Sequence, residues 1–212
     1  MRSLFLLAAF FSWNATAKNP GNLSDWGLGV EAGAFFLKGS GATWATGPTL
    51  GVHVNKALPS GASLRFLGRF APMHLKSADD LWSAGEIPET TLEAIAIHGQ
   101  GLMALRYGPK FQGANPDIQF GAIVEGAIGL DIVRTHADLN GPDGIRRIST
   151  TEPLPFVEIG LGFHVLVLDS LGINATISEQ ILLTFDRGER GGGDDLRVLF
   201  GTLPGLELIG HF

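Results

Sequence analysis

Ionisable residues recur at alternate positions within several apolar stretches of the sequence. They are the side chains best able to form ion pairs, exchange protons or bind ions. Among those on the polar face of a predicted strand, we single out Glu31, Arg65, Arg69, His98, Glu125, Glu158, His164 and Glu207. Enclosed charges must pair, since burying one alone costs several kcal/mol. The set predicts structural ion pairs or, through His98 or His164, an element that responds to pH. If this layer conducts ions, its excess of glutamate over arginine favours cations.

The residue spacing gives little support for nucleophilic catalysis or metal binding. Nucleophilic catalysis needs a serine or cysteine near a histidine and an acid, but the chain has no cysteine and none of its six histidines lies in a His-x-Ser pattern. The sequence also lacks histidines and carboxylates at metal-ligand spacing. We therefore predict a protein without catalytic activity, metal or cofactor.

The elements that position these charges are long alternating strands, of which residues 117–133 are the clearest. Successive side chains of a strand point to opposite faces, so this stretch has one apolar face and one small, polar face that bears Glu125 and Asp131. About 9–11 residues of tilted strand cross a bilayer, whereas a typical strand has about 5–6 residues. The pattern predicts a membrane-crossing strand that is apolar toward lipid and polar toward a narrow lumen.

The same alternation predicts eight strands, over residues 25–37, 44–55, 62–70, 91–107, 117–133, 156–168, 173–184 and 196–212. Short turns alternate with polar loops, the longest being residues 72–90 and 134–155, and residues 108–116 form one of the turns. We predict an all-β, eight-stranded antiparallel up-and-down transmembrane β-barrel. Both chain ends would lie in the periplasm and the long loops outside.

Three positions disturb the alternation. The mixed parity of the fourth strand predicts a β-bulge near Gly99 or Gly101. Pro204 cannot donate to a strand ladder, so a second bulge is predicted at residues 203–205. Glu179 falls on the apolar face of the seventh strand and leaves the register of that strand open.

The first residues predict export. Arg2 precedes an apolar run at residues 4–11, and Ala15-Thr16-Ala17 matches an A-x-A cleavage site. We predict a signal peptide at residues 1–17 that is cleaved after Ala17. Residues 18–24 would then be a disordered start, and residues 25–212 the outer-membrane β-barrel.

The composition agrees with a membrane-embedded barrel and excludes several functions. Charged residues make up 17% of the chain, below the roughly 25% of soluble domains. The formal net charge of −6, without a basic patch, argues against a nucleic-acid partner. Because cysteine is missing, disulfides, zinc–thiolate sites and a lipoprotein anchor are excluded.

The chain resembles the small eight-stranded outer-membrane β-barrels of Gram-negative bacteria, the class that contains the membrane domain of outer membrane protein A. The resemblance is one of pattern: the leader, the alternating strands, the loop asymmetry and the final Phe212. It implies a place in the outer membrane among lipid and lipopolysaccharide. It also implies that the barrel-assembly machinery recognises Phe212. The oligomeric state stays open.

The predicted role is structural or interactive, with a lumen plugged by charges and long loops that contact partners. One alternative is a soluble periplasmic barrel of lipocalin type, which would bind an apolar ligand and turn its apolar faces inward. The other is a barrel enzyme that modifies lipid A, an activity known among the resembled proteins. Its histidine would lie at the rim, as His74 does with Ser77 and Asp79 close to it in sequence, or as His136 does.

Overall fold

The computed structural model describes residues 26–38, 44–58, 61–75, 91–108, 110–112, 118–141, 144–167, 171–186 and 195–211. Nearly all of them lie in nine strands: β1 (Trp26–Lys38), β2 (Trp44–Ala57), β3 (Ala62–Leu75), β4 (Thr91–Tyr107), β5 (Lys110–Gln112), β6 (Ile118–Gly141), β7 (Gly144–Val167), β8 (Leu171–Asp186) and β9 (Asp195–His211). The predicted leader, the predicted disordered start and Phe212 lie outside the described residues.

Eight long strands form one closed antiparallel barrel, as predicted. Neighbours in sequence are neighbours in space, β1 pairs with β9, and a pairing between β4 and β6 completes the ring. The short strand β5 adds to the start of β6, where the sequence predicted only a turn. Among the described residues, no helix is long and apolar enough to cross a bilayer.

A circuit through paired residues measures the stagger of the barrel. From Leu28 it passes through Val54, Phe66, Met103, Ile128, Val157, Ile181 and Phe200 and returns to β1 at Lys38. The return lies ten residues further along β1, so the strands are strongly tilted. A barrel of eight strands has an interior just wide enough for its own side chains to fill.

The outward face is an apolar belt. Large apolar side chains stand exposed on every long strand, such as Leu50 at 63%, Phe163 at 73% and Leu206 at 62%. Their parity is the one that alternation predicted. A continuous apolar surface of this kind fits the lipid-facing side of a membrane barrel.

The interior has two layers, which corrects the prediction of a polar lumen. Charged side chains occupy the half in which β1 begins, together with a few buried apolar residues: Ile123, Leu166 and Ile209. The other half holds what we call the apolar layer, made of Phe35, Leu37, Ala71, Met73, Ala96, Val133, Leu154, Phe156, Leu182, Leu199 and Leu203. Alternation shows which side chains point inward, but it does not show which of them lie next to one another in the lumen. Apolar side chains can fill a narrow interior because they need no polar partners.

A long hairpin replaces the predicted loop at residues 134–155. Strands β6 and β7 stay paired up to Gly141 and Gly144, while β7 pairs with β8 only from Phe156. Gly144 has a φ of 108°, a conformation that a residue with a Cβ rarely adopts. Strands that project beyond the apolar belt need no apolar face, so polar residues can form this hairpin. We call the barrel end from which β6 and β7 project the hairpin end.

Both predicted bulges are wrong. The register between β3 and β4 continues unbroken past Gly99 and Gly101, and that between β8 and β9 continues past Pro204. Inward Leu102 explains the mixed parity without a bulge, because it is buried among the other interior side chains. Glu179 keeps the register of β8 and faces outward, where it accepts hydrogen bonds from Thr202.

The predicted loop at residues 72–90 begins later than expected. Strand β3 continues through Pro72 and ends at Leu75, and Thr91 already belongs to β4. The intervening residues 76–90 lie outside the described residues, together with Ser77 and Asp79.

Candidate functional site

The charged half of the interior is the candidate functional site, and we call it the charge network. Its ionised members come from β1, β3, β4, β6, β7 and β9, and each is at most 8% exposed: Glu31, Arg65, Arg69, Arg106, Glu125, Glu158 and Glu207. All project inward because they share the parity of the polar face of their strands. The tilt of the strands brings residues far apart in sequence to the same level of the lumen.

Arg65 is the central cation. Its Nη2 lies 2.6 Å from Glu31 Oε2 and 2.9 Å from Glu207 Oε1, and its Nη1 lies 3.0 Å from Glu125 Oε1. A planar guanidinium presents several N–H groups in fixed directions, so one side chain can join three carboxylates. Lysine would offer a single charged centre and could not bridge the same distances.

Arg106 lies on β4, the neighbour of the strand that carries Arg65, and reaches across the lumen to Glu207 on β9. Its Nη1 and Nη2 each donate to one carboxylate oxygen of Glu207 at 2.8 Å, and its Nε donates to Glu125 at 2.7 Å. Bidentate pairs of this kind are shorter and stronger than neutral hydrogen bonds. Glu207 also accepts from Asn174 at 2.8 Å, and Asn174 in turn contacts His164 at 2.5 Å.

Arg69 links this cluster to the side-chain amides of Gln100 and Gln180. It donates from Nε to Glu31 at 2.6 Å, and from Nη1 to Gln100 at 2.9 Å and to Glu158 at 3.2 Å. Gln180 donates to Glu158 at 2.6 Å and exchanges hydrogen bonds with Gln100. The carboxylates are thus joined in one connected set.

The set continues into the apolar layer through Asp131 and His98. Gln100 donates to Asp131 Oδ2 at 3.1 Å, and the same oxygen lies 2.7 Å from His98 Nδ1. Both side chains are fully buried, and the ring of His98 meets Phe35 edge to face at 5.3 Å. A buried histidine and acid therefore sit among apolar side chains.

Several buried polar atoms have no hydrogen-bond partner among the described residues. Glu158 Oε1 is one of them, and His98 Nε2 and Asp131 Oδ1 are two more. The charge network contains four glutamates and three arginines, so its carboxyl groups outnumber its guanidinium groups by one. Glu158 has the weakest ion pair of the four glutamates. Its carboxylate lies 3.2 Å from Nη1 of Arg69, and Arg69 also pairs with Glu31.

All eight residues singled out in the sequence as inward-facing lie inside the barrel, and hydrogen bonds connect them. His98 and His164 are at the two ends of the connected set rather than among its ion pairs. The sequence set omitted Arg106, which has the parity of His98 on its strand, and Asp131, which has the parity of Glu125 on its strand. Gln100 and Gln180 carry no charge, so no charge pattern could have found them.

The geometry of the described residues adds no candidate catalytic or metal-binding residue to those considered from the sequence. Among the described residues, no group of three or more histidine or acidic side chains is arranged to hold a metal ion. His74 is exposed at the hairpin end, and the serine and acid that follow it in sequence lie outside the described residues.

Comparisons with known proteins show the fold. No family model and no curated protein matches the sequence. Among solved structures, neisserial surface protein A (NspA) is 11% identical with a TM-score of 0.55, over 90% of this chain and 99% of that one. A major outer membrane protein from Thermus thermophilus is 12% identical with a TM-score of 0.46, over 88% of this chain and 99% of that one. The N-terminal β-barrel domain of Pseudomonas aeruginosa OprF is 11% identical with a TM-score of 0.42, over 89% of this chain and 99% of that one.

Proposed function

We propose that this chain, which has the fold of the small eight-stranded outer-membrane β-barrels, is a non-enzymatic outer-membrane protein with a closed lumen. The observation that carries the proposal is the division of its side chains: apolar groups face outward, and arginines and glutamates pair across the interior. An apolar belt is stable only against lipid, since in water it would drive association. The outward belt also opposes the soluble lipocalin-type alternative.

The charge network supports a closed lumen. A hydrated ion that entered would have to separate ion pairs such as Arg106–Glu207, whose atoms are held at 2.8 Å. Breaking one buried pair leaves an uncompensated charge, at a cost of about 3–5 kcal/mol. The buried apolar layer forms a second barrier above it. The network therefore acts as a plug, and the barrel does not act as a porin.

The projecting hairpin is the part best placed for contact with partners. Ile145 is 70% exposed on it, and the exposed pair of Arg147 and Asp138 holds its two strands together at 2.7 Å. Beyond the barrel, residues 144–155 of β7 continue the ladder with β6. We assign the hairpin end to the cell exterior, among lipopolysaccharide, and the other end to the periplasm.

Fractionation and conductance test this proposal. The protein should enter the outer-membrane fraction and migrate differently on a gel with and without boiling, and in planar bilayers it should show no steady pore. Replacing both Arg106 and Glu207 by alanine should raise conductance, whereas replacing Arg147 and Asp138 by alanine should not. A soluble periplasmic protein, or a wild-type barrel that conducts like a porin, would overturn the proposal.

A second candidate, a pH-responsive plug, is favoured by the contact between His98 and Asp131. Charging this histidine would alter the hydrogen bonds of Asp131 and, through Gln100, of the charge network. The bilayer recordings, repeated at about pH 5 and about pH 8, test this role. Conductance that is equal at both values in wild type and in the His98→Gln variant would exclude it.

A further inference from the structure

Within the described residues, two seams interrupt the barrel wall toward the hairpin end. A seam is a place where two neighbouring strands keep their register but form no ladder pairs. Between β2 and β3 the seam covers positions 47–49 and 71–73, and between β1 and β9 it covers positions 34–35 and 203–204. A proline also marks the end of the β7–β8 ladder, where Pro155 would meet Leu183. Each seam contains proline, which has no N–H to donate.

The β2–β3 seam is the widest interruption within the belt. Pro48 lies opposite Pro72, so neither strand can donate at that level. On their other sides both strands stay fully paired, β2 with β1 and β3 with β4. Gly47 lies so close to the carbonyl oxygen of Pro72 that a Cβ would collide with it. The seam is thus closed by close contact, without the ladder that holds the rest of the wall.

The seams border the apolar layer. The inward neighbours of these prolines are buried apolar residues: Ala71 and Met73 beside Pro72, Leu203 beside Pro204, and Leu154 between the two prolines of β7. Outside the β2–β3 seam stand Leu50 and Phe70, which are exposed in the belt. A weakened stretch of wall therefore separates two apolar environments, the lipid and the barrel interior.

The apolar layer also contains a polar anchor. His98 Nε2 and Asp131 Oδ1 are buried in it and have no hydrogen-bond partner among the described residues. Such atoms are costly to bury without partners, so each of them calls for a functional or structural explanation. One polar group on an otherwise apolar molecule would satisfy them.

We infer that the β2–β3 seam is a lateral entrance, through which a long-chain amphiphile of the membrane, an acyl chain with one polar group, reaches the apolar layer and binds beside His98 and Asp131. At positions 47–49 and 71–73 no ladder pair has to break, because Pro48 and Pro72 have no N–H to donate there. The seam opens as Gly47 moves away from Pro72, and the chain displaces interior side chains such as Met73. This inference rests on the proposed membrane location.

The rival explanation is that the prolines only shape the wall. In that case the seams stay closed, the apolar layer is permanent filling, and lipid touches the outward side chains alone. The two explanations differ in which residues an acyl chain can reach and in whether locking the seam matters.

Photolabelling of the full chain in phospholipid nanodiscs separates them. The probe is a long-chain fatty acid with a diazirine at its methyl end, and the labelled residues are mapped by mass spectrometry. Because the chain has no cysteine, a disulfide can be added cleanly. Thr49→Cys with Ala71→Cys would lock the β2–β3 seam from inside. Ala104→Cys with Ala127→Cys, at facing positions of the intact β4–β6 ladder, is the matched control.

We expect label on interior residues such as Met73 and Leu154, and a fall of about tenfold when the seam is locked, because entry then requires local opening that the disulfide forbids. Reduction should restore the label, and the control disulfide should leave it unchanged. Label confined to outward residues in the wild-type protein, or interior label unaffected by the lock, would overturn the inference. Only protein that shows the gel shift on boiling is used, so failure of the proposed membrane fold is seen separately.

Discussion

Arg106 and Glu207 form a two-pronged ion pair straight across the barrel. Each guanidinium Nη lies 2.8 Å from a different carboxylate oxygen, although the residues are 101 positions apart in the chain. Their strands, β4 and β9, are four places apart in a ring of eight, so the pair spans the diameter. This single contact joins opposite walls and identifies where the lumen is most firmly closed.

Removing Arg106 should destabilise the barrel strongly. The Arg106→Ala variant leaves Glu207 and Glu125 with fewer partners in a buried layer, and we expect a loss of about 3–5 kcal/mol in the free energy of unfolding. Denaturant titration in lipid vesicles measures it. The matched control is Arg147→Ala, whose side chain is 73% exposed and whose ion pair should contribute about 0–1 kcal/mol. Equal losses would mean that the interior pairs are solvated.

The apolar layer should respond as a packed core. Leu182 is fully buried, so Leu182→Ala should cost about 2–5 kcal/mol, and Leu182→Met, which keeps the volume, less than about 1.5 kcal/mol. The same denaturant titration compares the two variants. If alanine and methionine proved equally mild, this half of the interior would be a water-filled space and not a packed layer.

Glu179 should be a cost to stability in the membrane. It faces outward in the belt, with Thr202 Oγ1 at 3.0 Å from its carboxylate oxygens. Because a charged group is unfavourable on the lipid face, Glu179→Leu should stabilise the barrel by about 1 kcal/mol. Thr202→Val, which removes only the partner, should not stabilise it. No gain in Glu179→Leu would indicate that this face meets a protein partner instead of lipid.

The hairpin should loosen in acid. The hydrogen bonds that Arg147 donates lower the pKa of Asp138 below its usual range. A group whose pKa falls on folding contributes stability above its unfolded pKa of about 3.9 and loses it as the pH drops through the folded value. Carboxyl NMR titration should show this lowered pKa, and Arg147→Gln should return it toward normal. An ordinary pKa in the wild-type protein would contradict the contact.

Much of the fold was predictable because alternation is a local property. The strand at residues 91–107 was predicted with the bounds that the structure has, and most others within a few residues. The prediction failed at residues 134–155, where pairing between β6 and β7 holds polar residues in strands. Composition had indicated a loop there, but a ladder outside the membrane depends on its partner strand and not on apolar side chains.

The prolines show the same limit. Pro48, Pro72 and Pro204 are visible in the sequence, yet that Pro48 faces Pro72, and that Pro204 interrupts only the pairing with β1, depends on the register between strands. The contacts of Arg69 with Glu31 and Glu158 likewise depend on which strands the tilt brings level. No spacing within one strand contains this information.

By itself the sequence determined the number of long strands, the face to which each side chain points and the apolar character of the outer wall, because a strand alternates with a period of two wherever it lies. The tertiary structure alone decided which charges meet, where the interior turns apolar, how far the hairpin projects and where the wall lacks its ladder. These follow from barrel closure with a stagger of ten residues, which brings distant parts of the chain to one level of the lumen.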